Sequence, residues 1–188
     1  TLAGDELFHL FLERFMQREH DARLRLGAAE FGVSAILTTP GSHLWAGYAT
    51  PEGLLEQAGN KAEIALELAT PTAFSMGSRQ VELWPRPDLV FGGLARKWRE
   101  WCDLPLPGLA PALADERAKK EWLLEHVRTA DLSLRRVRWQ FAERVQLGVV
   151  GRIAYRAFEA DEATLRTLNA LADFAFYAGL GQKTPQGM

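Results

Sequence analysis

The 188-residue chain has one cysteine, three methionines, four histidines and a formal net charge of only -2, and each shortage removes a class of explanation. Cys102 alone can form neither an internal disulfide nor a cysteine metal site, and an unpaired thiol favours a reducing compartment. No apolar run approaches the roughly 18 residues needed to span a bilayer. No basic-then-apolar leader opens the sequence, and a cytoplasmic protein is expected. With so little net charge there is no global sign of a nucleic-acid partner, so any such partner has to be read from local patches. His9, His20, His43 and His126 include no pair at ligand spacing, and the reading calls for no metal and no other cofactor. None of the four has a partner at diagnostic spacing that would make it catalytic.

What is present is ordinary globular material, 47% hydrophobic and 24% charged. A chain of this size buries roughly 70% of the surface it exposes unfolded, enough for one large domain or two small ones without a covalent staple. Helical spacing of Leu7, Phe8, Phe11, Phe15 and Met16 behind Asp5 predicts a helix over 5–19, and alternation of Phe31, Val33, Ala35 and Leu37 predicts a strand over 30–39. Residues 40–61 read as a linker with one short helical turn. A second strand follows over 62–70, with Ile64, Leu66 and Leu68 on one face and Glu63 and Glu67 on the other.

PDLVFGGLARKWREW (87–101) puts Phe91, Leu94, Trp98 and Trp101 on one helical stripe, which predicts a core-facing helix. A further short helix is expected over 119–127. LSLRRVRWQF (132–141) and VQLGVVGRIAYRAF (145–158) then read as a hairpin, and the slip of apolar phase in its first strand predicts a bulge at Arg135-Arg136. Trp139 and Tyr155 fall in the apolar phase and are expected in the core. Asp161 caps a last helix that carries Leu165, Leu168, Ala172, Ala175 and Phe176 as far as Gly179.

The order is that of an α+β, ferredoxin-like unit over 62–188, lacking only its closing strand, and residues 1–39 match the closing part of another. The chain begins at Thr1 and ends in a loop, and is expected to be cut at both ends. The terminal stretch AGLGQKTPQGM (178–188) is not a phosphate-binding loop, because Gln182 separates Gly181 from Lys183 and the order is helix then loop. Gly179 is explained as a helix terminator. Gly181, Gln182, Lys183, Thr184 and Gly187 remain, a bare backbone with one cation that suits close approach of a phosphodiester. Between Arg128 and Arg156 there are seven arginines against Asp131 and Glu143, an excess of five. Arg136 with Arg138, and Arg152 with Arg156, form a cationic plate if both pairs turn to one side; otherwise they solvate an open sheet face or pair with Glu63 and Glu67.

Four stretches, LATPTAFSMG (68–77), PRPDLVFGGLARKW (85–98), LGVVGRIAYR (147–156) and DFAFYAGLGQKTPQGM (173–188), in this order and spacing resemble the CRISPR-associated repeat-processing endoribonucleases of the RAMP superfamily. The resemblance covers most of residues 30–188. It implies two tandem ferredoxin-like domains, CRISPR repeat RNA as partner, and one metal-independent cut in which the upstream 2′-OH attacks the scissile phosphate, leaving 2′,3′-cyclic phosphate and 5′-OH ends. It further implies other CRISPR-associated proteins as partners, in a complex or fused in one polypeptide. Gly179, Gly181, Gln182, Lys183, Thr184 and Gly187 match the family's glycine loop, beside the RNA cleft. Ser75 stands where the family often has a basic residue. The family usually draws its general base from a histidine in the first domain, upstream of Thr1, so the catalytic residues stay unassigned. A noncatalytic RNA-binding subunit of the same superfamily is the alternative reading.

Overall fold

Period-two alternation of Ile64, Leu66 and Leu68 against Glu63, Ala65 and Glu67 builds a strand that buries one face and leaves the other open. The computed structural model describes residues 46–76, 80–108, 115–141 and 144–182 continuously, and before them residues 10, 13, 23–26, 28–32, 34–35, 37, 39 and 41–44. The helix expected over 5–19 lies outside the described residues, apart from 10 and 13. Two compact units divide the chain, Thr1–Tyr48 and Ala49–Met188.

In the first unit β1 (Arg23–Leu26) and β2 (Ala29–Gly32) form an antiparallel hairpin, with Leu24 opposite Phe31. The strand expected over 30–39 is shorter than its alternation suggests: described residues 34, 35 and 37 lie outside any strand. The four residues of β1 supply pairing only as far as Gly32.

The second unit opens with α1 (Pro51–Gln57), capped by the Thr50 side chain. There follow β3 (Glu63–Thr72), β4 (Phe74–Ser75), β5 (Val81–Glu82), α2 (Pro87–Trp101), α3 (Glu116–His126), β6 (Val127–Phe141), β7 (Arg144–Ala157) and α4 (Glu162–Ala178). The main sheet is antiparallel, in the order β3-β7-β6, so the fold is α+β. Asp161 accepts from the Thr164 amide at the start of α4, and Asp115 from Arg117 and Ala118 at the start of α3, satisfying helix donors that have no internal partner.

One apolar cluster joins the inner face of the sheet to α2 and α4. Phe91 meets Tyr155 edge-on at 5.2 Å between ring centres, and Trp98 meets Phe174 at 5.1 Å. The Trp98 indole donates to the Leu104 carbonyl at 2.7 Å, and the buried Tyr155 hydroxyl donates to the Pro85 carbonyl, pinning the entrance of α2 to β7. Burial raises the Tyr155 phenol well above its ordinary value.

Three expectations are corrected. Trp101, at the end of the α2 stripe, is 59% exposed: the helix stops there, and its ring meets the Phe174 ring at 6.2 Å between centres and the Lys97 ammonium at 5.9 Å. Trp139 is 44% exposed, not core. The bulge of β6 lies between Thr129 and Asp131; the pairing runs without a break through Arg135 and Arg136. The apolar phase slips there for another reason. Leu132 and Leu134 sit opposite Ile153 and Gly151 on the covered face, whereas Val137 and Trp139 sit opposite Gly148 and Gln146 on the other.

Candidate functional site

The carboxyl end of α4 is where the motif-bearing stretches of the second unit converge. Gly179 ends the helix with φ 66°, its amide donating to the Ala175 carbonyl at 2.9 Å. Beyond it the chain turns against the β3–β4 junction. Gln182 donates its amide to the Ala73 carbonyl at 2.8 Å, and Gly181 lies on the same oxygen so closely that a Cβ there would come within 2.5 Å of it. With φ at +86°, position 181 excludes a side chain on conformational grounds as well. The Thr-Pro-Thr-Ala-Phe stretch is therefore the platform on which the glycine loop rests.

From the opposite side Lys97 of α2 donates its ammonium to the carbonyls of Ala178 and Gly179, at 2.9 Å each. These are acceptors that a helix leaves unpaired at its carboxyl end, where the macrodipole also favours a cation. Burial, with the neighbouring Arg96 charge second, holds the Lys97 ammonium below its ordinary value, partly opposed by Glu100. Lys97 was not singled out by sequence reasoning, because its acceptors are more than eighty residues away.

Gly179, Gly181 and Gln182 form one wall of a cavity of about 390 Å³ whose other walls are β4, α2 and α3. Its cations are Arg96, Lys97, Lys119 and Lys120, against Asp88 and Glu116. Both carboxylates are engaged. Asp88 takes Arg86 at 2.7 Å, and Glu116 takes Lys119 at 2.7 Å and Arg99 at 3.1 Å. The Lys119 hydrogen bond, before that from Arg99, holds the Glu116 carboxyl below its ordinary value. The cavity thus presents net positive charge beside half-buried loop backbone, an arrangement suited to an anion. Lys183, Thr184 and Gly187, also expected at this site, lie outside the described residues.

The hairpin arginines do not form one plate. Residues paired across an antiparallel sheet share a face. Arg152 pairs with Glu67 and Ser133, and Arg156 with Glu63 and Arg128, all on the open face. Arg136 pairs with Val149 and Arg138 with Leu147, three and five residues short of Arg152, so the register turns them to the opposite side. On the open face the carboxylates of Glu63 and Glu67 stand directly across from Arg156 and Arg152, where opposite charges support pairing and offset the cations. All four arginines are exposed. Among the described residues no histidine lines the cavity; His126 stacks on Trp122 with ring centres 4.8 Å apart and faces the Trp122 carbonyl at 3.1 Å.

Residues 66–188 match the family model of the CRISPR-associated endoribonuclease Cas6. No curated protein matches the chain. Among solved structures, Thermus thermophilus Cas6 (TTHB231) is 28% identical, with a TM-score of 0.70 over 80% of this chain and 60% of that one. A product complex of Cas6 (TTHA0078) is 32% identical, with a TM-score of 0.73 over 88% and 63%. A substrate mimic complex of that Cas6 is 30% identical, with a TM-score of 0.68 over 88% and 65%. The chain spans less than two thirds of the length of these three.

Proposed function

Since this chain belongs to the CRISPR-associated endoribonuclease Cas6 family, we propose that it is the RNA-binding portion of a protein that binds CRISPR repeat RNA and cuts it once within each repeat. The observation that carries this reading is the glycine loop held between Ala73 and Lys97 on the rim of a cationic cavity. Related Cas6 proteins solved as product and substrate mimic complexes support it. In this reading Gly179, Gly181, Gln182, Lys183, Thr184 and Gly187 lie along the RNA backbone. Arg136 and Arg138 contact phosphate on one side of the hairpin; Arg152 and Arg156 do so on the other. Residues 62–188 are the second of two ferredoxin-like domains, and 1–39 the end of the first.

The cut follows from the family's chemistry. The 2′-OH upstream of the scissile bond attacks the phosphorus, and the P–O5′ bond breaks. The ends left are a 2′,3′-cyclic phosphate and a 5′-OH, and no metal takes part. The step needs a base for the 2′-OH proton, an acid for the leaving oxygen, and donors for the charge that builds on the phosphorane. Lys183 and loop amides are suited to the last role. The family usually draws the base from a histidine of its first domain, and the catalytic residues stay unassigned in this chain. A noncatalytic RNA-binding subunit of the same superfamily is the second reading.

The test is to mix the chain, and separately the whole protein, with end-labelled repeat RNA from the neighbouring CRISPR array in excess EDTA, and to resolve free, bound and cleaved species. Binding by both with cleavage by the whole protein, leaving cyclic phosphate, is the expected result. Binding by both without cleavage supports the noncatalytic reading, and failure of both to bind overturns the two together.

A further inference from the structure

The cavity wall opposite the glycine loop contains an arrangement that packing does not explain. Two consecutive glycines, Gly92 and Gly93, stand in the middle of α2, where glycine is the least favourable residue after proline. Close packing forces glycine into a helix when a neighbour would collide with a Cβ, and neither position meets that condition. At Gly92 a Cβ would lie 3.8 Å from Leu123 Cδ1 and 3.9 Å from Lys119 Cε, ordinary contact; at Gly93 it would meet nothing within 4 Å. Both glycines line the cavity, so the helix shows it bare backbone.

The charges beside that backbone have the same direction. Arg96 lies three residues beyond Gly93, on the same helical face. Lys120 lines the cavity from α3. Among the described residues neither Arg96 nor Lys120 is held in an ion pair, whereas the cavity's two carboxylates are each matched by a cation. At about 390 Å³ the space is at the small end of ligand sites, which suits a short length of extended polymer.

We propose that the groove between α2 and α3 is a second seat for RNA, in which the sugar-phosphate backbone of a single-stranded segment lies against Gly92 and Gly93 with its phosphates between Arg96 and Lys120. It rests on the RNA-binding reading above and extends it: strand leaving the glycine loop enters a groove that reads phosphate and not base sequence.

The experiment measures affinity for repeat RNA and for a scrambled RNA of equal length over a series of salt concentrations. It compares the wild-type protein with Gly93→Leu and with the double variant Arg96→Ala/Lys120→Ala. Gly93→Leu fills open space on a helix, so Tm rises by about 2–4 °C, while the Kd rises about tenfold for both RNAs, the loss of roughly one charge-assisted contact. In the double variant the slope of log K against log salt becomes shallower by about 1.4, two single-strand phosphate contacts. The double variant changes only exposed side chains and keeps the test decisive if the leucine variant folds poorly. Wild-type slope and affinity in the double variant overturn the proposal while leaving the RNA-binding reading intact; wild-type protein that binds neither RNA overturns both.

Discussion

At the scale of single residues, the site is governed by where a side chain is forbidden and where one cation sits. Gly181 combines φ +86° with a neighbouring carbonyl that leaves no room for a Cβ. Gly181→Ala therefore has to move the loop away from Ala73 and break the Gln182 amide bond to the same oxygen, at a cost of about 1–3 kcal/mol. The expected outcome is a modest fall in Tm, read by thermal melts, with a larger loss of affinity for repeat RNA, read by filter binding. A melt lowered without any change in affinity would remove the loop from the interface. The special status of this loop was legible in the sequence, because glycine spacing past an amphipathic helix is a local pattern. Lys97 was not legible, since the carbonyls it holds come from the far end of the chain and no local pattern announces them. Trp101 and Trp139 misled for a related reason: the apolar phase states which face a residue occupies, but whether another element covers that face is a tertiary fact.

At the scale of elements, α4 was legible from cap to cap, as Asp161 and Gly179 fix both ends by local chemistry. The hairpin was legible too, but not its bulge. The seam between α2 and α3 was not legible at all. It is closed by Glu116, which receives both the buried Lys119 of its own helix and Arg99 of α2. The folded-state value of the Glu116 carboxyl is lowered, so it contributes stability above its ordinary value of 4.5, and that contribution disappears as pH falls through the lowered folded value. Glu116→Gln is therefore expected to lower stability at pH 7. The carboxylate is 59% exposed and screened by water, which limits its own contribution to under about 1 kcal/mol; removing the partner of a buried ammonium adds to the loss. The gap closes as pH falls from 4.5 through the lowered folded value, because the protonated wild-type side chain resembles the amide. Denaturant melts of both proteins across this range measure it, and a gap independent of pH would assign the effect to packing instead.

At the scale of the whole molecule, the question is how much of the chain the second unit needs in order to fold. The buried apolar cluster runs from Ile64 to Ala178, and its partly buried neighbours reach back to Leu54 and Leu55 of α1. The ties in the same direction are polar. Arg166 donates to the carbonyls of Leu55 and Glu56, Asn169 to that of Lys61 at 2.9 Å, and the Ala157 amide to the Ala62 carbonyl at 2.8 Å. α1 thus covers α4 where that helix would otherwise present apolar side chains to water. A fragment from Ala49 to Met188 is expected to unfold in one cooperative transition, because it contains the buried cluster and the described side chains packed against it. A fragment starting at residue 62 loses Leu54, Leu55 and the backbone acceptors before Ala62. At about 25 cal/mol per Å² for partly buried leucines, together with the donors left on Arg166 and Asn169, that is a loss of about 2–3 kcal/mol. Urea melts of the two fragments side by side decide it: a midpoint clearly lower for the shorter one makes α1 part of the folding unit, and equal midpoints make residues 49–61 a dispensable connection.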